Sequence, residues 1–263
     1  MAIAAGSTKL IASSRLTSAR SLTARSPVPK IEGLVAWYET SRRESFKPSE
    51  AVDDGQISAW YDVSPGSITA KRNTLTRTTS AAAVYQASGI NKLPSVYFNG
   101  TGMFTLANFY QGTLQQSTIF FVIKPYTIGT WIPTIVDAGP SASTGVAASL
   151  NSNGTHIFAG TIADTVTSNC CETNKEYVVS VNFNGAYSRS FVNNAATKVG
   201  NTDVNAGTVA MWGITVGASR FNGYNLVGLI SEIIIYNRPL QTQEMKDVMN
   251  YLGQKYGITI TGI

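Results

Sequence analysis

The dipeptide Asn-Gly recurs at Asn99-Gly100, Asn153-Gly154, Asn184-Gly185 and Asn222-Gly223, each time beside short runs rich in β-branched and aromatic residues. Asn-Gly supplies the positive φ that tight turns between twisted antiparallel strands require. A chain punctuated in this way is restricted to many short, locally paired strands. The clearest case begins at Tyr177, where Tyr177, Val179, Val181 and Phe183 alternate with Val178, Ser180 and Asn182. Asn184-Gly185 and a second run from Ser188 to Val192 follow, so the segment predicts a hairpin with a two-residue or slightly longer turn. Further strands are predicted at Leu34 to Tyr38, Gln56 to Asp62, Ser95 to Phe98, Thr118 to Lys124, Thr134 to Asp137, Thr155 to Ala159, Val209 to Val216 and Val227 to Tyr236. Ile119 to Ile123 and Ile233 to Tyr236 are continuously apolar, the mark of strands covered on both faces. With 43% hydrophobic and 13% charged residues over 263 positions, the chain can fill one large core. The expected fold is all-β, a two-sheet sandwich of the jelly-roll kind.

One segment breaks the period of two. After Pro239, the residues Leu240, Met245, Val248, Met249, Leu252 and Tyr256 recur at steps of three and four, and Gly257 stands where a C-terminal cap belongs. A helix over about residues 241–256, docked on the sandwich, is expected. The other end of the chain differs in kind. Its first thirty residues carry Lys9, Arg15, Arg20, Arg25 and Lys30 and no acid; removing those five from the 20 basic residues leaves 15 against 15 acidic. Made mostly of Ala, Ser, Thr and Arg, this stretch cannot bury enough surface to order itself. The chain therefore divides into a basic arm, 1–32, and a neutral sandwich domain, 33–263. The arm is expected to be held by another chain or another copy of this one. A cleaved organelle-import leader, with a mature start near Ser26, fits the same composition, and the arm could be helical or extended. No stretch approaches a membrane span.

The residues that carry chemistry are few. Cys170 and Cys171 are adjacent and read as free thiols, because a vicinal pair closes only with backbone distortion. A single histidine, His156, removes clustered His metal ligands and the usual base of a nucleophilic triad. Glycosidases need two carboxylates flanking the scissile bond. Here Asp53-Asp54 falls in a turn, Asp137, Asp164 and Asp203 are scattered, and Glu172 with Glu176 flanks Lys175. No catalytic residue, metal site or cofactor is therefore assigned. Trp37 and Trp60 lie within apolar strand patterns and read as core anchors. Trp131, between Gly129 and Pro133, is the candidate sugar platform, and the role of Trp212 stays open.

The run Gly228 to Leu240 (GLISEIIIYNRPL), with Gln243-Glu244, Tyr251-Leu252 and Lys255-Tyr256-Gly257 behind it, resembles the closing segment of concanavalin A-like domains of the laminin-G type. Leu34 to Tyr38 (LVAWY), Trp60 to Ser64 (WYDVS) and Pro94 to Gly100 (PSVYFNG) are similar to the opening strands of that family. The resemblance implies the sandwich and a structural role for Glu232. It leaves function open, since such modules serve as lectins, glycosidase accessories, adhesion domains and virion surface proteins. Combined with the arm, it leads to the expectation of a non-enzymatic structural protein of a virus particle, a phage capsid decoration or tail accessory protein assembled in the host cytoplasm. Its partners would be capsid or tail subunits and copies of itself, met through Lys9, Arg15, Arg20, Arg25 and Lys30. The alternative is a carbohydrate-binding adhesion module recognising cell-surface glycans. Toward nucleic acid, five charges without interleaved aromatics provide only a salt-sensitive attraction to phosphates.

Overall fold

The computed structural model describes residues 28–78, 83–128, 134–138, 146–151, 154–159, 164–167, 171–199, 203–221 and 223–263. Lys9, Arg15, Arg20, Arg25 and Trp131 lie outside the described residues, and Lys30 is exposed. Among the described residues the chain forms two antiparallel sheets, of seven and eight strands, and one α-helix. The first sheet runs β13 (Arg189–Val192), β12 (Tyr177–Phe183), β7 (Ser117–Pro125), β15 (Val227–Tyr236), β5 (Ser95–Asn99) and β4 (Ala83–Gln86), with β1 (Leu34–Glu39) also on β15. The second runs β11 (Asp164–Thr167), β10 (Gly154–Ala159), β9 (Val146–Asn151), β8 (Thr134–Ala138), β14 (Ile214–Val216), β6 (Phe104–Leu106), β3 (Leu75–Arg77) and β2 (Ala59–Trp60). The expected all-β sandwich with one C-terminal helix is what forms.

β15 is the spine of the first sheet. One of its edges pairs with β7 along its length, while the other is shared, Val227 to Ile230 pairing with β5 and Glu232 to Tyr236 with β1. Ser231 lies at the changeover, where the register against β7 slips. Its hydroxyl meets that of Ser95 at 2.6 Å, and its carbonyl accepts from the Thr40 amide and hydroxyl at 3.1 and 3.0 Å. The polar groups that a bulge strands inside a sheet are thus satisfied by the strand that ends there and the one that begins.

Alternation along β7 divides the interior in two. Ile119, Phe121 and Ile123 face the second sheet, in a core with Tyr38, Trp60, Phe98 and Phe104. Phe120 and Val122 face the opposite way, into a layer with Trp37, Ile234 and the apolar stripe of α1 (Thr242–Tyr256), namely Met245, Val248, Met249, Leu252 and Tyr256. This is the physical reason for the unbroken apolar run: both faces of the strand are covered. Val28 is buried in the same layer and Ile31 packs against it, so packing begins ahead of Gly33.

At the helix start, Gln241 and Glu244 form a capping box, in which Glu244 supplies the half that reaches back to the cap residue. Its carboxylate accepts from the Gln241 amide at 2.8 Å and from both terminal nitrogens of Arg238 at 2.8 and 2.6 Å. The Arg238 hydrogen bonds hold the carboxyl down at about 2. At the other end Gly257 has φ 63° and returns its amide to the Gly253 carbonyl, a left-handed cap that glycine adopts without penalty.

Several expectations need correction. Of the predicted strand Gln56 to Asp62, only Ala59–Trp60 is strand. The Ser58 amide and hydroxyl are taken by the Glu50 carboxylate at 3.0 and 2.6 Å, so side-chain bonds replace the ladder there. The strand predicted over Val209 to Val216 shortens to Ile214–Val216, with an isolated bridge between Leu114 and Met211 before it. The hairpin from Tyr177 forms as expected, by contrast: Gly185 has positive φ of 57°, and a 3-10 turn over Gly185–Tyr187 makes its loop the slightly longer kind. In the last Asn-Gly pair Gly223 is not left-handed; Tyr224 is, at φ 51°.

Candidate functional site

The helix covers the outer face of the first sheet; among the described residues no helix lies on the outer face of the second. Its side chains are ordered by register. Thr76 of β3 pairs with Thr105 of β6, Thr105 with Thr215 of β14, Thr215 with Asp137 of β8 and Asp137 with Ala147 of β9. Phe104, Ile214, Val216 and Val136 point into the core, so by the two-residue period Thr105, Thr215 and Asp137 point outward. A row of hydroxyls therefore crosses three strands and ends on a carboxylate of the fourth.

Above this row lies a groove of about 220 Å³, lined by Thr105, Leu106, Ala107, Trp212, Gly213, Thr215 and Arg220, with Ala138 and Ile214 behind them. Trp212 is 49% exposed, which leaves much of its indole free to meet a ligand. Its backbone is fixed by the Phe109 amide, which donates to the Trp212 carbonyl at 2.7 Å. Gly213 is required beside it, because a Cβ there would run into the carbonyl oxygens of Leu106 and Ala107. The close approach of these two segments makes the floor of the groove.

Its wall is a loop pinned by one ion pair. The Arg220 amide donates to Asp137 Oδ2 at 2.9 Å, and Arg220 Nη1 donates to Asp137 Oδ1 and, at 2.7 Å, to the Ala138 carbonyl. The loop closes on itself through the Ser219 amide to the Gly223 carbonyl, 2.9 Å, and the Gly223 amide to the Ser219 hydroxyl, 3.1 Å. Burial pushes the Asp137 carboxyl up from its usual value, against the pull of the Arg220 amide and guanidinium. No carboxylate is among the described residues that line the groove. Such a surface offers an aromatic face, hydroxyls and amide edges, the equipment for binding a molecule with one apolar face and a polar rim.

The other residues singled out in the sequence are dispersed. Trp37 and Trp60 are buried, as core anchors should be. Asp203 accepts from Arg189 Nε at 2.8 Å and from Lys198 Nζ at 2.5 Å, on the helix side of the first sheet and away from the groove. Glu232 is fully buried beneath the helix, where it accepts from Trp37 Nε1, Lys255 Nζ and the Tyr256 hydroxyl at 2.7, 2.5 and 2.9 Å. Cys171 is buried, and Cys170 lies outside the described residues. The groove itself was not apparent in the sequence. Thr76, Thr105 and Arg220 carry no motif, and only the strand register brings them to one place.

No protein-family model and no curated protein matches the chain. Solved structures do resemble it. Domain 4 of AbnA, a GH43 extracellular arabinanase from Geobacillus stearothermophilus in complex with arabinotriose, superposes with a TM-score of 0.58 at 16% identity, covering 82% of this chain and 98% of that domain. Trypanosoma rangeli sialidase in complex with sialic acid matches at 0.58 and 16% identity; the match takes in 88% of this chain and 34% of the sialidase. The binding domain of botulinum neurotoxin serotype D matches at 0.52 and 13% identity over 84% of this chain and 51% of that one. At these identities the likeness establishes a shared β-sandwich fold.

Proposed function

We propose that this protein is a glycan-binding module whose ligand lies in the groove beside Trp212. The observation that carries the reading is the half-exposed indole of Trp212 set over a rigid glycine floor and next to the outward hydroxyl of Thr105, with the largely buried Thr215 lining the same groove. A sugar ring has an apolar C–H face and an equatorial rim of hydroxyls, and the groove offers a counterpart to each. That two of the similar structures hold arabinotriose and sialic acid supports this choice of ligand class. Trp131, the platform expected from the sequence, lies outside the described residues, and the reading rests on Trp212. A glycan array followed by titration tests it. Wild-type protein should bind saturably, and Trp212→Ala should weaken binding roughly thirtyfold, the about 2 kcal/mol carried by a central aromatic contact, with an unchanged circular dichroism spectrum. Absence of any binding, or full binding by a folded Trp212→Ala protein, refutes the proposal.

The confinement of the whole net charge of +5 to the first thirty residues favours a second reading. In it the sandwich is displayed on a phage particle, as a capsid decoration or tail accessory protein, and the arm docks on acidic surface of neighbouring subunits. Removal of residues 1–27 keeps Val28 in the helix layer; it should leave the sandwich folded and abolish co-purification with the particle's main structural protein. Retention at full stoichiometry would overturn this reading.

A further inference from the structure

We infer that the groove selects uncharged sugars over anionic ones, and that Asp137 enforces the choice by occupying Arg220. The inference rests on the glycan-binding reading above. Arg220 is the one cation among the described lining residues, and a guanidinium in such a place would ordinarily recruit a ligand carboxylate or sulfate through its planar fork of donors. Here part of that capacity is already engaged, and Nε is buried away from solvent. Nη1 is shared between Asp137 Oδ1 and the Ala138 carbonyl, the Arg220 backbone amide takes Oδ2, and the guanidinium carbon stands 5.0 Å from the centre of the Phe221 ring. Both members of the pair are poorly exposed, 13% for the Arg220 side chain and 8% for Asp137. An anion approaching the guanidinium would lie beside the buried Asp137 carboxylate, a like-charge contact in a poorly solvated place. The remaining lining is hydroxyl, methyl, indole and backbone, without charge. Asp137 acts here as a specificity-determining residue through its hold on Arg220, with no contact to the ligand required.

The test is a comparison of full-length wild-type and Asp137→Asn proteins on neutral oligosaccharides (arabino-, gluco- and galacto-series) and on sialylated, uronate-containing and sulfated ones. Asparagine keeps the shape of the side chain and one acceptor while removing the opposing charge. The wild type should bind a neutral series at least tenfold tighter than any anionic probe. Asp137→Asn should gain about tenfold for anionic probes, and adding Arg220→Gln to it should abolish the gain. A wild type that prefers an anionic probe overturns the inference by itself, whatever the stability of the variants. So does a folded Asp137→Asn that still binds neutral sugar and gains nothing for anions. If neither protein binds any glycan, it is the glycan-binding reading that has failed, an outcome distinct from both.

Discussion

Lys255→Met is expected to lower the unfolding free energy by about 3–5 kcal/mol at neutral pH, the usual consequence of removing one partner from a buried ion pair. Glu39 and Glu232 are directly opposite each other on β1 and β15, and both are almost wholly buried. Like charges in that relation repel. Lys255, reaching in from the last turn of α1, places its ammonium 2.6 Å from Glu39 and 2.5 Å from Glu232. Arg42 adds a second cation on the Glu39 side at 2.8 Å. Burial is the largest influence on both carboxyls and raises both. At Glu39 the charge and hydrogen bond of Lys255, helped by Ser41 and Arg42, outweigh it and the carboxyl is held low; at Glu232 burial prevails and the carboxyl is raised.

The pH dependence follows from those directions. Glu39, depressed in the folded state, contributes stability that is present above the ordinary carboxylate value of 4.5 and is lost as pH falls through its folded value. Glu232, raised, contributes stability that is complete below 4.5 and is lost as pH rises through its folded value. Without the ammonium both carboxyls shift upward, so the penalty of Lys255→Met should be largest at pH 7 and should shrink as acid neutralises the stranded pair. Urea unfolding of both proteins at pH 7 and pH 4 measures this. A deficit under about 1 kcal/mol at pH 7, or one that grows in acid, would show that the cluster does not hold the helix down.

Trp60→Ala should cost a comparable amount, about 3–5 kcal/mol, because truncating a fully buried large aromatic leaves a cavity that the surroundings fill only in part. Trp60 is 0% exposed, and its ring meets Tyr38, Phe46 and Phe104 at centroid separations of 5.9, 5.8 and 6.4 Å. These partners come from β1, from Phe46 just after the 3-10 turn at Arg43–Ser45 and from β6, so one side chain bridges both sheets. The indole N–H is buried with no hydrogen-bond partner among the described residues. Trp60→Phe, which discards that unsatisfied donor and keeps most of the ring volume, should therefore cost under about 1.5 kcal/mol. The difference between the two variants in thermal or urea unfolding separates packing from polarity. Phe104 precedes Thr105 in β6, so Trp60→Ala should also weaken glycan binding while Trp60→Phe preserves it. Equal losses of stability in the two variants would contradict the packing account.

Local chemistry explains what could be read before folding. The alternation at Tyr177 to Phe183, the apolar run at Ile119 to Ile123 and the three- and four-residue spacing from Met245 to Tyr256 each state which face is buried, because side-chain period is a property of the chain itself. The sandwich and its C-terminal helix follow from them. The strands at Leu75–Arg77, Ala83–Gln86, Phe104–Leu106, Val146–Asn151 and Asp164–Thr167 were not legible. Most are three or four residues long, and their extended shape comes from the neighbours they pair with. The groove belongs wholly to that second class. Thr76, Thr105, Asp137 and Thr215 are ordinary residues far apart in sequence, and nothing local marks Trp212 as open. Register across β3, β6, β14 and β8 makes them neighbours, and the helix is placed on the opposite sheet. Sequence determined which side chains turn inward; the tertiary structure alone decided which outward ones meet, because pairing between distant strands is settled by the whole packed core and not by any one segment.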